Sequence, residues 1–143
     1  MDAENTFVLD GSVALAWFFK DESNPYANRI ARVIADFEAV VPSIWSLELA
    51  NAVLMGERRG RCTEEQASSW WIYLETLCVR LDQETHAQAW KETVRLARAW
   101  RLTVYDASYL ELALRRGLPI ATLDEKLRSA AGSCHIVIFD PAV

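Results

Sequence analysis

The chain has 143 residues and a formal net charge of −5 at pH 7, and hydrophobic residues make up 52% of it. This length suits one domain with a sizeable core, and the acidic balance argues against a protein that coats nucleic acid through a broad basic surface. The three cysteines lack metal-site spacing, no basic leader is visible and no apolar run approaches the ~20 residues that cross a bilayer, so we expect a cytoplasmic protein without a membrane segment.

Short β-forming segments alternate with helix-length segments along the chain. Strands are predicted around residues 8–9, 39–41, 78–81, 119–123 and 135–139. Helices are predicted over about residues 12–19, 25–37, 44–58, 63–77, 85–100, 106–116 and 124–131. This alternation predicts an α/β fold in which helices cover both faces of a parallel sheet.

Several predicted helix ends have local signals. Pro25 suits a first helical position, and the sequence TEEQ at residues 63–66 is a capping box that should open the fourth helix. Gly60, Gly117 and Gly132 each follow a helical pattern, at a place where a left-handed residue commonly ends a helix.

Two predicted strands from opposite ends of the chain both run into an aspartate. Asp10 follows the first strand and Asp124 follows the fourth. Ligands of open α/β sheets bind beyond the carboxyl ends of the strands, so the two carboxylates would face one crevice if their strands are neighbours. The alternative is that each aspartate is an ordinary helix N-cap, because a helix is predicted after both strands.

Two further acids lie on predicted helices between these ends. Glu48 shares a narrow polar strip with Asn51 on the third helix, and Asp106 stands at the start of the helix predicted over residues 106–116. The alternative for Glu48 is a solvated helix face, and the alternative for Asp106 is again an N-cap.

Four carboxylates in one crevice would repel one another unless a cation neutralises them. Oxygen ligands of this kind suit Mg²⁺ or Mn²⁺, which would also let an acidic protein hold a phosphodiester. One or two such ions would activate water and stabilise a leaving oxygen. The hydroxyls of Ser12 and Thr122, each two residues from an aspartate, are candidate supports of this site, although both also fit ordinary turn and strand positions.

Ordered motifs extend over nearly the whole chain. They read VLDGSVALAWF at residues 8–18, VPS at 41–43, ELANA at 48–52, YDASYLELA at 105–113 and ATLDEKL at 121–127. In this order they resemble the PIN-domain ribonucleases of the VapC toxin type. The resemblance implies one PIN-like domain over residues 1–143, an α/β three-layer sandwich with a central parallel sheet of order 3-2-1-4-5 and about seven flanking helices.

The same resemblance implies an endoribonuclease that depends on Mg²⁺ or Mn²⁺ and leaves a 5′-phosphate and a 3′-hydroxyl. It assigns metal binding and catalysis to an acidic quartet, Asp10, Glu48, Asp106 and Asp124. Asn51 and Thr122 match the polar residues that support this quartet.

Proteins of this type are usually homodimers that a VapB-type antitoxin silences by occupying a groove near the active site. The aromatic residues Trp17, on the first helix, and Trp45, on the third, are expected to line such a groove. DNA would be bound only indirectly, through the antitoxin.

Two other classes of function are open to this sequence. The first is a catalytically idle PIN-like binding module that acts through its partner complex and does not need a metal. The second is a receiver-like phosphoacceptor domain, which also places Asp at strand ends with Mg²⁺. The receiver-like class normally has paired acids after the first strand, and the sequence DGS at residues 10–12 supplies only one.

Overall fold

A computed structural model of the chain describes residues 5–141. The four strands are β1 (Thr6–Leu9), β2 (Glu38–Val41), β3 (Val79–Leu81) and β4 (Ile120–Ala121). The helices before β3 are α1 (Gly11–Phe18), α2 (Pro25–Val33), α3 (Trp45–Arg58) and α4 (Glu64–Glu75). Those after it are α5 (Thr85–Gln88), α6 (Val94–Trp100), α7 (Val104–Arg116) and α8 (Glu125–Ser133).

Each predicted helix has a counterpart in the structure. A π-type turn at Ala89–Thr93, kinked at Lys91, joins α5 and α6, so these occupy the single helix predicted over residues 85–100. When α5 and α6 are counted as one, seven α-helical segments flank the sheet within residues 5–141. No helix in this part of the chain is long and apolar enough to cross a membrane.

The sheet is parallel and has the strand order β3-β2-β1-β4. The α/β fold and the first four positions of the predicted order are therefore confirmed, but the prediction of a fifth strand is wrong. Residues 135–139 do lie beside β4, where they form one parallel bridge between Ile138 and Ile120. The pairing extends no further because β4 has only two residues. The ring of Phe139 stacks on the ring of Phe7, with 4.0 Å between the ring centroids.

Strand β1 lies in the interior of the sheet, and its position determines where the site forms. Phe7, Val8 and Leu9 are all fully buried, as expected for a strand with helices on both faces. The Asp10 amide donates to the carbonyl of Ala121 at 2.9 Å, which aligns the carboxyl ends of β1 and β4.

Most predicted helix boundaries are confirmed. The capping box at residues 63–66 is present, because the Thr63 hydroxyl accepts from the Gln66 amide and the Gln66 side chain accepts from the Thr63 amide. Gly60 and Gly117 have φ of 75° and 65°. Gly132 is not a left-handed cap, because α8 continues through it to Ser133, and the left-handed residue is His135 at φ 63°.

A buried ion-pair cluster fixes the far end of α7. Arg115 donates to both carboxylate oxygens of Glu111 on the same helix and to both carboxylate oxygens of Asp82 after β3, at distances of 2.7–3.1 Å. The side chains of Glu111 and Asp82 are only 3% and 6% exposed. Burial tends to raise the pKa of Asp82, but the Arg115 guanidinium and the Thr85 hydroxyl outweigh it and lower that pKa overall.

Candidate active site

The carboxylate of Asp10 lies beneath the crevice where β1 and β4 end. Asp10 occupies the N-cap position of α1, yet its side chain makes no capping hydrogen bond. Its Oδ2 instead accepts from the Ser12 hydroxyl at 2.6 Å and from the Thr122 hydroxyl at 2.7 Å. For Asp10 the simple capping interpretation is therefore wrong.

Asp124 both caps a helix and borders the same crevice. Its Oδ1 accepts from the Leu127 amide at 2.9 Å, which is an N-cap bond of α8. Its own amide donates to the Thr122 hydroxyl at 3.0 Å. Through Thr122, the carboxylate of Asp10 and the backbone of Asp124 belong to one hydrogen-bond network.

The predicted supporting hydroxyls connect two distant parts of the chain. Thr122 is fully buried and donates to Asp10, and Ser12 accepts from the Leu123 amide at 3.0 Å while it donates to Asp10. Such bonds restrict a buried carboxylate to one orientation. The third predicted support, Asn51, is exposed and makes no hydrogen bond through its side chain within residues 5–141, so its role stays a prediction.

Glu48 and Asp106 come from the first turns of two helices. Glu48 lies on α3, half-buried, and the Tyr109 hydroxyl donates to its Oε1 at 2.6 Å. Asp106 is the third residue of α7, because the helix begins at Val104 and Thr103 is its N-cap. The prediction that Asp106 starts or caps the helix is therefore wrong by two to three residues.

The four carboxylates interact electrostatically with one another. Burial is the main cause that raises the pKa values of Asp10, Glu48 and Asp106 above their ordinary values. The charge of Asp124 raises the pKa of Asp10 and Asp106 further, and the charge of Asp10 does the same for Glu48 and Asp106. Each of the four predicted acids therefore interacts electrostatically with at least one other, and their joint role as a site stays a prediction.

The chemistry of these donors suits a hard divalent cation. All four are carboxylates, which are ligands that such cations prefer. Three of them have raised pKa values, and a bound cation would lower these pKa values again. Within residues 5–141 no three acidic, imidazole or thiol groups already stand in a metal-ligating arrangement. The carboxylates thus border the crevice without forming a closed ligand shell.

Tyr109 is a site residue that the sequence analysis missed. It lies in the apolar stripe of α7 and reads from the sequence as a core aromatic residue. The available signal was its hydroxyl, because a buried tyrosine usually has a hydrogen-bond partner. Burial, followed by the charges of Asp10 and Glu48, raises the pKa of Tyr109, so its phenol remains a donor at neutral pH.

An aromatic groove of about 820 Å³ lies at the end of α1 and along α4. Trp17, Phe18, Trp70 and Tyr73 line it, so Trp17 does line a groove, but none of the four predicted acids does, and a groove near the active site stays a prediction. Trp45 is not in this groove. It is 5% exposed, packs into the core and borders a separate cavity of about 360 Å³ between α3 and α4.

Comparison with known proteins identifies a family and a relative. The model of the PIN-domain family matches residues 7–133. The chain is 29% identical over 120 residues to the ribonuclease VapC3 of Pyrobaculum aerophilum, a match that covers 84% of this chain and 90% of that protein.

Solved structures with low sequence identity share the fold. A protein of Pyrobaculum aerophilum whose crystal structure is known has a TM-score of 0.66 at 23% identity, covering 87% of this chain and 84% of that one. The sarcin-ricin loop cleaving toxin VapC20 of Mycobacterium tuberculosis has a TM-score of 0.63 at 16% identity, covering 94% and 99%. VapBC2 of Rickettsia felis, solved with a DNA fragment from its promoter, has a TM-score of 0.62 at 14% identity, covering 94% and 97%.

Proposed function

The chain belongs to the PIN-domain family, and from that premise we propose that it is a metal-dependent endoribonuclease, the toxin of a VapBC-type toxin-antitoxin pair. The observation that supports this proposal best is a group of four carboxylates from four chain segments, in which burial and neighbouring carboxylate charges raise the pKa values of Asp10, Glu48 and Asp106. The name of the relative VapC3, a ribonuclease, agrees with it.

Mg²⁺ or Mn²⁺ is the cofactor that this proposal requires. The residues that would hold it are Asp10, Glu48, Asp106 and Asp124. When bound, a divalent cation supplies a nucleophilic water and neutralises charge on the phosphodiester. Ser12 and Thr122 keep the Asp10 carboxylate in place through their two hydrogen bonds, so that its charge does not rotate out of the crevice.

RNA must approach a protein whose net charge is −5, so we propose that local cations guide it. Lys126 lies at the start of α8, and its charge acts on Asp106 at the crevice. Lys20, Arg58 and Arg59 are exposed further away and are the other candidate phosphate contacts. The cut would leave a 5′-phosphate and a 3′-hydroxyl.

Removal of divalent cations tests this function. We expect the purified chain to cleave RNA with Mg²⁺ or Mn²⁺ and to lose that cleavage in excess EDTA, because the carboxylates alone repel a phosphodiester. Denaturing gels of a structured RNA pool measure the products, and added Mn²⁺ in excess over EDTA should restore them.

The outcome also separates the two main interpretations. Cleavage that persists unchanged in EDTA would contradict metal dependence. A chain that neither binds Mn²⁺ by calorimetry nor cuts any RNA would instead support a PIN-like module that is catalytically idle and acts through its partner complex.

We further propose a VapB-type antitoxin as the protein partner and the aromatic groove as its binding surface. The groove combines Trp17, Phe18, Trp70 and Tyr73 with Arg61, which suits an amphipathic peptide segment. VapBC2 of Rickettsia felis was solved with promoter DNA, and DNA would reach this chain only through its antitoxin. A homodimer, a single domain over residues 1–143 and a cytoplasmic location are parts of the same proposal.

Truncation of one groove residue tests the antitoxin surface. Tyr73→Ala should weaken binding of the antitoxin encoded beside this chain by about tenfold, because aromatic anchors contribute much of the energy of such interfaces. Ile72→Ala is a matched control, since Ile72 is the neighbouring residue on α4, is 66% exposed and does not line the groove. If calorimetry gave equal affinities for the two variants, the antitoxin would have to bind another surface of the chain.

A further inference from the structure

The buried hydroxyl of Tyr109 connects two of the helices that supply carboxylates to the crevice. Tyr109 is fully buried on α7, one turn after Asp106. Its hydroxyl donates to Oε1 of Glu48 on α3 at 2.6 Å, across 61 positions of sequence. The other oxygen of Glu48 accepts no hydrogen bond from any residue of the described range 5–141.

The same hydroxyl lies against the turn that carries Asp10. A Cβ placed on Gly11 would be 3.8 Å from the Tyr109 hydroxyl oxygen and 3.4 Å from the Leu49 side chain. Gly11, which follows Asp10 and is the first residue of α1, is itself buried. The phenol therefore stands where the β1–α1 turn, α3 and α7 meet.

The side chains of Glu48 and Tyr109 differ in how firmly the fold holds them. Glu48 is half-buried and has three rotatable bonds, so its carboxylate alone would sample several orientations at the crevice. Tyr109 has two side-chain torsions, and packing on all sides of its ring fixes both. A rigid donor bound to a flexible acceptor holds the acceptor in one orientation.

We propose that Tyr109 is a positioning residue that orients the Glu48 carboxylate for the divalent cation. The inference rests on the proposed function, in which Glu48 is a metal ligand. Hydrogen bonds that orient ligands of this kind commonly change metal affinity by about 10- to 100-fold. A purely structural hydroxyl would instead change stability and leave the affinity of the folded protein unaltered.

Tyr109→Phe tests the inference because it removes the hydroxyl and keeps the ring. We expect its Mn²⁺ affinity, measured by calorimetry on the full chain, to be about tenfold weaker than that of the wild type. Ser108→Ala is the matched control, because the buried Ser108 hydroxyl on the same helix donates to the Tyr105 carbonyl and not to a carboxylate. Circular dichroism at the titration temperature establishes that each variant is folded.

A double-mutant cycle with Glu48→Gln shows whether the hydroxyl acts through Glu48. In the Glu48→Gln background, Tyr109→Phe should weaken Mn²⁺ binding by less than about twofold, because the carboxylate that it orients is already gone. A further tenfold loss in that background would overturn the inference, and so would wild-type affinity in the single variant Tyr109→Phe. If the wild type itself does not bind Mn²⁺, the proposed metal site fails and the inference falls with it.

Discussion

Asp10→Asn is expected to reduce RNA cleavage by about a hundredfold or more while the chain stays folded. Asp10 is 6% exposed and lies at the end of the central strand β1, where the charge of Asp124 acts on it. Asparagine has nearly the same shape but lacks the charge that would hold a divalent cation. Initial rates on one RNA substrate at saturating Mg²⁺ measure the loss.

The fold should tolerate this substitution. Burial raises the pKa of the Asp10 carboxyl, so the ionised form opposes folding at neutral pH when no cation is bound. The amide oxygen of asparagine can still accept from the Ser12 and Thr122 hydroxyls. Asp36→Asn, at an exposed position outside the crevice, should leave cleavage unchanged. An Asp10→Asn protein with wild-type activity would remove Asp10 from the proposed metal site.

Arg115→Leu is expected to lower the free energy of unfolding by about 3–5 kcal/mol. The reason is that Arg115 is the shared partner of two buried acids, and its removal leaves both the Glu111 and the Asp82 carboxylates without their counter-charge. Urea denaturation at pH 7, followed by tryptophan fluorescence, measures the change. Arg116→Leu is the control, because the next side chain along α7 is exposed, and we expect it to change stability by less than about 0.5 kcal/mol.

The pH dependence of this difference has a definite sign. The folded-state pKa of Asp82 is lowered, so the stability it provides is present above the unfolded pKa of about 3.9 and is lost as pH falls through the folded pKa. In Arg115→Leu the Asp82 carboxyl, still buried but without its counter-charge, would bind a proton at a higher pH, so acid would reduce the destabilisation of the variant before it affects the wild type. The stability gap should therefore narrow from pH 7 towards pH 4, and a constant gap would contradict the ion-pair explanation.

Residues 5–141 include three buried acids, Asp10, Asp82 and Glu111, and these differ in how their charge is balanced. Asp82 and Glu111 share the guanidinium of Arg115, so the fold itself supplies the counter-charge. Asp10 accepts hydrogen bonds from two neutral hydroxyls, and its pKa is raised rather than lowered. Acids that a protein buries without neutralising them are typical of functional sites, which is why we propose a metal at Asp10 and a structural role for the ion pairs of Arg115.

Local patterns predicted much of the fold because their physical causes are local. The capping box at residues 63–66 and the left-handed Gly117 depend on a few neighbouring residues, and both are confirmed. The prediction of a strand at residues 135–139 was wrong because a strand also needs a partner of sufficient length, and β4 offers two residues. The prediction that Gly132 ends a helix was wrong because α8 continues through it to Ser133, and the left-handed residue that follows the helix is His135.

The sequence by itself determined the family and the alternating α/β pattern, because periodicity, cap residues and motif order are properties of the chain itself, and it identified four acids as a candidate site. Only the tertiary structure decided which acids lack a counter-charge and which hydroxyls hold them. Tyr109 reads as a core residue, and Arg115 reads as part of a charged helix end. Their partners, Glu48 and Asp82, are 61 and 33 positions away, and a hydrogen bond or an ion pair over such separations exists only once packing has brought the segments together.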